Sequence, residues 1–185
     1  MIVRKKFLLL FFVFIIIPSL AFADFTGLCS AVKDGDTIVV LIDNHIPVKV
    51  RLHGIDAPEI KQPFGKAAKR YASTLVYHRI VTVREEGTDK YGRTLGEVTL
   101  PDGRDFSEEM LRAGYAWHYK QYDQSQKLAD LETEAHDAQR GLWADLDPTP
   151  PWEFRHTENS DNEQTKFRYR ERRPRGAKGL LDQSE

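Results

Sequence analysis

The chain has 185 residues, of which 41% are hydrophobic and 30% are charged, and its formal net charge is −1. This length accommodates one domain of ordinary size with appendages, and it is too short for two. The composition excludes a collagen-like chain and a wholly disordered one. Cys29 is the single cysteine, so an intramolecular disulfide is excluded and the fold must depend on its hydrophobic core.

The first 23 residues have the layout of a signal peptide. Basic residues at positions 4–6 precede an apolar run over 7–17, which is shorter than the roughly 20 residues that span a bilayer. The following Ala21-Phe22-Ala23 has the small-x-small pattern that signal peptidase recognises. We therefore expect export to the periplasm or the medium, a mature chain that begins at Asp24, and no membrane attachment after cleavage. An uncleaved membrane anchor is the alternative.

Five β-like runs follow the leader, and turn signals rich in Asp and Gly separate them. They cover residues 28–32, 37–41, 46–53, 79–84 and 95–100. In the third run, Val48, Val50 and Leu52 alternate with polar residues, which predicts one core face. Arg51 is expected to point away from that face.

Three helices are predicted, over residues 63–76, 105–114 and about 125–140. Pro63 suits a first helical position, Asp105 and Glu108 have capping-box spacing, and Gly141 provides a C-terminal stop. Together with the strands, these helices predict an α+β, mainly β fold. Its centre is a five-stranded barrel of the oligonucleotide-binding type, accompanied by three helices.

The composition changes after residue 146, where three prolines precede a polar, charge-rich stretch. We predict a signal peptide at 1–23, a domain at 24–146, and at 147–185 a Pro-containing linker followed by a basic tail that is disordered from about residue 159. Residues 166–178 carry a net charge of +6. Such an arm can bind nucleic acid locally. The segment Pro151-Trp152-Glu153-Phe154-Arg155 is expected to anchor the tail to the domain.

Three acidic clusters fall at strand ends or turns, namely Asp34-Gly35-Asp36-Thr37, Asp56-Ala57-Pro58-Glu59 and Asp89-Lys90-Tyr91-Gly92-Arg93. Each cluster alone is more typical of a turn than of a site, because Asp and Gly favour turns for backbone reasons. Their joint presence with Arg51 points further, towards chemistry on phosphate.

The residue types in these clusters suit phosphodiester hydrolysis assisted by a hard cation. Asp36 and Asp56 offer the carboxylate oxygens that calcium prefers. Arg51 and Arg93 offer paired N–H donors in the planar geometry that phosphate accepts. Glu59 is the candidate for positioning or deprotonating the attacking water.

These clusters, followed by Gly141-Leu142-Trp143, resemble the ordered signature of the staphylococcal nuclease (thermonuclease) family. The resemblance covers about residues 26–143. It implies a five-stranded barrel with three helices, dependence on calcium, and endonucleolytic cleavage of DNA and RNA that leaves 3′-phosphate ends.

The resemblance also implies a set of calcium ligands. These are the carboxylates of Asp36 and Asp56 and the main-chain carbonyl of Ala57. The loop that follows, at residues 60–63, is short, which leaves the preference between DNA and RNA open.

Catalytic and substrate-binding roles follow from the same resemblance. Arg51 and Arg93 would contact the phosphate and the transition state, and Glu59 would orient the water. Lys90 and Tyr91 would contact the nucleotide near the scissile phosphate. The expected partner is therefore DNA or RNA, acted on by a monomer.

Two other functions remain open at this point. A nuclease-like module that only binds nucleic acid would lack catalytic side chains, whereas all five candidates are present here. A secreted structural module that holds calcium in acidic loops would give no reason for Arg51 and Arg93 to accompany the carboxylates. The six histidines have no zinc-binding spacing, and we expect them at the surface.

Overall fold

A computed structural model describes residues 24–43 and 45–172. The predicted signal peptide and the end of the basic tail lie outside the described residues. The described part contains seven strands and four α-helices. The strands are β1 Phe25–Val32, β2 Thr37–Ile42, β3 Ile46–Leu52, β4 Ile55–Asp56, β5 Ile80–Thr88, β6 Thr94–Thr99 and β7 Trp117–His118.

Five of these strands form a closed barrel in the order β1-β2-β3-β6-β5. Neighbouring strands are antiparallel except β3 and β6, which pair in parallel. The short strands β4 and β7 form a separate antiparallel pair. The predicted five-stranded barrel is confirmed, and closure removes the exposed strand edges that an open sheet would leave.

The barrel interior is filled by the alternating apolar residues of its strands. Val40, Val50, Val83 and Val98 are completely buried, as expected for inward positions that recur every second residue. The helices cover part of this core, and Phe106 contributes a completely buried aromatic ring.

The helices are α1 Gly65–Val76, α2 Phe106–Arg112, α3 Gln126–Asp137 and α4 Pro151–Arg172. A 3-10 turn follows α3 at Gly141–Ala144. The predicted cap of α2 is present, because the Asp105 carboxylate accepts a hydrogen bond from the Glu108 N–H at 2.9 Å. None of the helices in the described residues is both long and apolar enough to cross a bilayer.

Helix α4 departs from the prediction of a linker and a disordered tail. It begins at Pro151 and continues to Arg172, so the expected disorder from residue 159 is wrong as far as Arg172, and a fourth helix joins the three predicted. Pro151 occupies the first helical position, where its missing N–H has no intrahelical partner to lose. The sequence that follows is rich in Glu, Gln, Lys and Arg, which have favourable helix propensities.

Candidate active site

The predicted site lies at one end of the barrel, where β2, β3 and β6 are adjacent. Arg51 near the end of β3 is paired with Thr37 on β2 and with Leu95 on β6. Asp36 and Arg93 immediately precede those two strands. Because neighbouring strands lie about 4.8 Å apart, the register brings Asp36, Arg51 and Arg93 together from three separate parts of the sequence.

Arg51 is almost completely buried at this end of the barrel, with 9% of its surface exposed. Its guanidinium donates to the carbonyl oxygens of Leu52 at 2.9 Å and Ile55 at 2.7 Å. It also pairs with Asp56 at 2.8 Å and with Asp36 at 3.2 Å. The prediction that Arg51 points away from the core is therefore incomplete, since the end of the barrel closes around its side chain.

The carboxylates of Asp36 and Asp56 are also buried, with 5% and 1% of each residue exposed. One oxygen of Asp36 accepts the Ala57 N–H at 2.6 Å, which joins β4 to the turn before β2. Burial raises the pKa of Asp56. Burial, together with the negative charge of Asp36, raises the pKa of Asp34 to about 7. Negative charge is therefore concentrated where water is scarce.

This donor set suits a hard cation. Asp36 and Asp56 provide carboxylate oxygens and Ala57 a backbone carbonyl, and oxygen ligands of this kind favour calcium over metals that prefer nitrogen or sulfur. A cation here would also offset the negative charge of Asp36, which adds to burial in raising the pKa of Asp34 and Asp56. The residues present therefore fit the ion that the family resemblance implies.

Arg93 is linked to the buried carboxylates through a hydroxyl. Its Nε donates to Asp89 at 2.7 Å and its Nη1 to the Thr37 hydroxyl at 3.3 Å. The Thr37 hydroxyl in turn donates to Asp36 at 3.0 Å. Although burial raises the pKa of Asp89, hydrogen bonds from Arg93 and Tyr91 bring it below its ordinary value. Thr37 had no predicted role, and the structure makes it the link between Arg93 and Asp36.

The two predicted nucleotide contacts lie beside Arg93 on the turn between β5 and β6. Tyr91 is 72% exposed. The Lys90 ammonium lies 5.1 Å from the Tyr91 ring centroid and the Arg93 guanidinium carbon 5.7 Å from it. An exposed aromatic ring flanked by two cations can receive a base and a phosphate together.

Glu59 lies at the solvent-facing side of the site, with 38% of its side chain exposed. Its carboxylate accepts a hydrogen bond at 2.9 Å from Arg155 on α4. The same guanidinium donates to both oxygens of Asp56, at 3.2 and 2.7 Å. Sequence reasoning missed this third arginine, because a contact across nearly 100 residues has no local pattern.

Two histidines depart from the predicted surface position, because His118 is buried and the His53 side chain is only 23% exposed. His118 is buried, with 3% exposed, and its Nε2 lies 3.1 Å from Asp123. In the part of the chain that the structure describes, His53, Glu86 and Glu97 place three ligand atoms within 4.8 Å of one another. This cluster does not include the predicted calcium ligands.

A closed barrel that gathers buried carboxylates and several arginines at one end has the residue types that chemistry on a phosphodiester requires. A family model described as "Staphylococcal nuclease homologue" matches residues 49–145. With this match and relatives that align over most of their length, the chain belongs to the staphylococcal nuclease family.

Three relatives with nuclease names align over about three quarters of this chain. The chain is 46% identical over 134 residues to an "Uncharacterized endonuclease" of Escherichia coli O157:H7, covering 72% of this chain and 87% of the relative. It is 37% identical over 153 residues to a "Micrococcal nuclease" of Shigella flexneri, covering 77% and 87%. An "Uncharacterized endonuclease" of Haemophilus influenzae is 39% identical over 132 residues, covering 70% and 74%.

Proposed function

We propose that this protein is an exported, calcium-dependent endonuclease that hydrolyses phosphodiester bonds of DNA, RNA or both and leaves 3′-phosphate ends. It acts as a monomer in the periplasm or the medium. The observation that carries the proposal is the convergence of Arg51, Arg93, Asp36, Asp56 and Glu59 at one end of the barrel. The nuclease names of the three relatives described above support the same activity.

The arginines act on the phosphate. As the pentacovalent transition state forms, negative charge grows on the non-bridging oxygens, and preorganised donors strengthen their contacts with it. Arg51 is held by backbone carbonyls and Arg93 by Asp89 and Thr37, so neither guanidinium has to reorganise during the reaction. Lys90 and Tyr91 hold the nucleotide next to Arg93.

The carboxylates divide into two roles. Asp36 and Asp56, with the carbonyl of Ala57, would hold calcium, which when bound offsets charge on the phosphate and favours deprotonation of water. Glu59 is more exposed than the two aspartates and is free of the Asp36 and Arg51 contacts. It therefore orients the attacking water or accepts its proton.

The decisive assay incubates the mature protein with supercoiled plasmid and with RNA, in calcium and in a chelator. We expect cleavage only with calcium, and ends that a polymerase extends only after phosphatase treatment. Binding without cleavage under all conditions would instead indicate a nucleic-acid-binding module. Calcium binding with neither cleavage nor nucleic-acid binding would indicate a structural module.

Three variants assign the roles, with the exposed Lys66→Ala as the control. Arg93→Lys keeps the charge and loses the two-pronged geometry, so turnover should fall on the order of 10²-fold. Glu59→Gln should lower turnover while calcium still binds. Asp36→Ala should weaken calcium binding, and excess calcium should restore part of the rate. If folded Arg93→Lys and Glu59→Gln both match the parent rate, the assigned site is wrong.

Export has a separate test. The leader predicts cleavage after Ala23, so N-terminal sequencing of protein recovered outside the cytoplasm should begin at Asp24. Recovery of a mature chain that retains residues 7–17 would contradict cleavage and favour the membrane anchor.

A further inference from the structure

The first turns of α4 place a guanidinium against the candidate active site. Arg155 donates to both oxygens of Asp56 and to one oxygen of Glu59, at distances from 2.7 to 3.2 Å. Although burial lowers the pKa of Arg155, these hydrogen bonds raise it, so the side chain remains charged. The Arg155 guanidinium therefore bridges Asp56, a candidate metal ligand, and Glu59, the candidate water-orienting carboxylate.

Packing around the start of α4 fixes this position independently of the ion pairs. Trp152 stacks on Tyr119, with ring centroids 5.5 Å apart and planes within 3° of parallel. The buried Gln62 side chain donates to the Thr149 carbonyl and accepts from the Glu59 N–H. The segment before α4 is thus tied to the same loop that carries Glu59. Arg155 is therefore held at the site by α4, whose first turn packs against the domain.

Arg155 does not close the site. Its side chain and that of Glu59 are each 38% exposed, so the pair borders solvent from which a substrate strand would approach. The Arg155 guanidinium forms its ion pairs with Asp56 and Glu59. This arrangement suits a residue that orients other groups, since outer hydrogen-bond partners fix the direction of the ligands they contact.

We propose that Arg155 is a positioning residue, which holds the Glu59 carboxylate in its working orientation and sets the charge against which a cation binds at Asp56. The proposal rests on the endonuclease function proposed above. It extends the functional unit beyond the family match at residues 49–145 into α4.

Removal of Arg155 should move two measurements in opposite directions. Glu59 loses its hydrogen-bond partner, so turnover should fall by about 10- to 100-fold, as for other supporting residues at such sites. Asp56 loses one of its two guanidinium partners but keeps Arg51. A positive charge next to the cation disappears, so calcium affinity should rise on the order of 3- to 10-fold. Mere loss of structure would weaken both properties together.

The test compares Arg155→Ala, Arg155→Lys and the control Glu158→Gln in the full mature chain. Glu158 lies on the same helix and pairs only with the exposed Lys61 among the described residues. Calcium affinity is measured by titration calorimetry, kcat and KM on a labelled oligonucleotide, and folding by thermal unfolding. We expect Arg155→Ala to lose turnover and gain calcium affinity, Arg155→Lys to lose turnover with calcium affinity near the parent value, and Glu158→Gln to match the parent.

Several results would overturn the proposal. Unchanged kcat in folded Arg155→Ala would do so, as would weaker or unchanged calcium affinity in that variant, or a parent that binds no calcium. A raised KM with unchanged kcat would mean that Arg155 contacts the bound strand instead. A parent that binds calcium and cuts no nucleic acid would refute the endonuclease function, and the calcium measurement would then still decide the placement of Arg155.

Discussion

Replacing Arg51 by Lys should reduce the stability of the protein as well as its rate. The guanidinium donates to two buried carbonyl oxygens and pairs with two buried carboxylates. A single ammonium cannot reach all four partners. Two unsatisfied buried carbonyls cost about 1–3 kcal/mol each, and breaking a buried ion pair costs about 3–5 kcal/mol. Because lysine recovers part of this, we expect a loss of about 3–5 kcal/mol in the free energy of unfolding.

Arg93→Lys is the matched comparison, because the side chain of Arg93 is 27% exposed and its ion-pair partner is Asp89 at the barrel rim. Partly exposed pairs contribute about 1 kcal/mol or less. Urea unfolding of both variants is monitored by tryptophan fluorescence. A chelator in the buffer separates protein stability from metal binding. A difference of less than about 1 kcal/mol between Arg51→Lys and the parent would refute this account of the buried guanidinium.

Three further predictions concern other parts of the chain. In Gly65→Ala the new Cβ would lie 1.8 Å from the Glu59 carbonyl oxygen, so the Glu59 backbone must shift. We expect the free energy of unfolding to fall by about 1–3 kcal/mol and turnover to fall by about 10²-fold. The neighbouring Lys66→Ala should match the parent in urea unfolding and rate. Cys29 is completely buried and burial raises its pKa to about 11, so a disulfide reagent at pH 8 should label it only after unfolding; labelling of the native protein at the unfolded rate would contradict its placement. Calcium at about 100 times its dissociation constant should stabilise the fold by about 2.7 kcal/mol, seen as a higher melting temperature, and an equal shift in Asp36→Ala would remove Asp36 from the ligand set.

The barrel was predictable because its strands carry short-range signals. Apolar residues recur at every second position, and Asp- and Gly-rich turns mark the strand ends. The grouping of Asp36, Arg51 and Arg93 came from resemblance, and the register of β2, β3 and β6 accounts for their proximity. The sequence therefore predicted the five barrel strands and three of the helices, whereas the roles of the candidate site residues stay a prediction.

The contribution of α4 was not predictable in the same way. The prolines at 148, 150 and 151 suggested the end of ordered structure, whereas Pro151 begins a helix. The contact of Arg155 with Asp56 depends on Trp152, which stacks on Tyr119, and on the buried Gln62, which donates a hydrogen bond to the Thr149 carbonyl. No local sequence pattern predicts either of these distant contacts. Similarly, the burial of Arg51 depends on how the barrel end closes, which alternation along one strand does not describe.

The parallel pairing of β3 with β6 also governs when the site comes into being. It joins Val50 to Thr94, 44 residues further along the chain. Closing this long loop costs conformational entropy, which is offset only when the strand contacts form. During synthesis, a nascent chain that ends before β6 already contains Asp36, Arg51, Asp56 and Glu59, yet it has nothing to pair with the open side of β3. The barrel end that brings Asp36, Arg51 and Arg93 together should therefore form only after β6 has been synthesised, and Arg155 should join it later still, with α4.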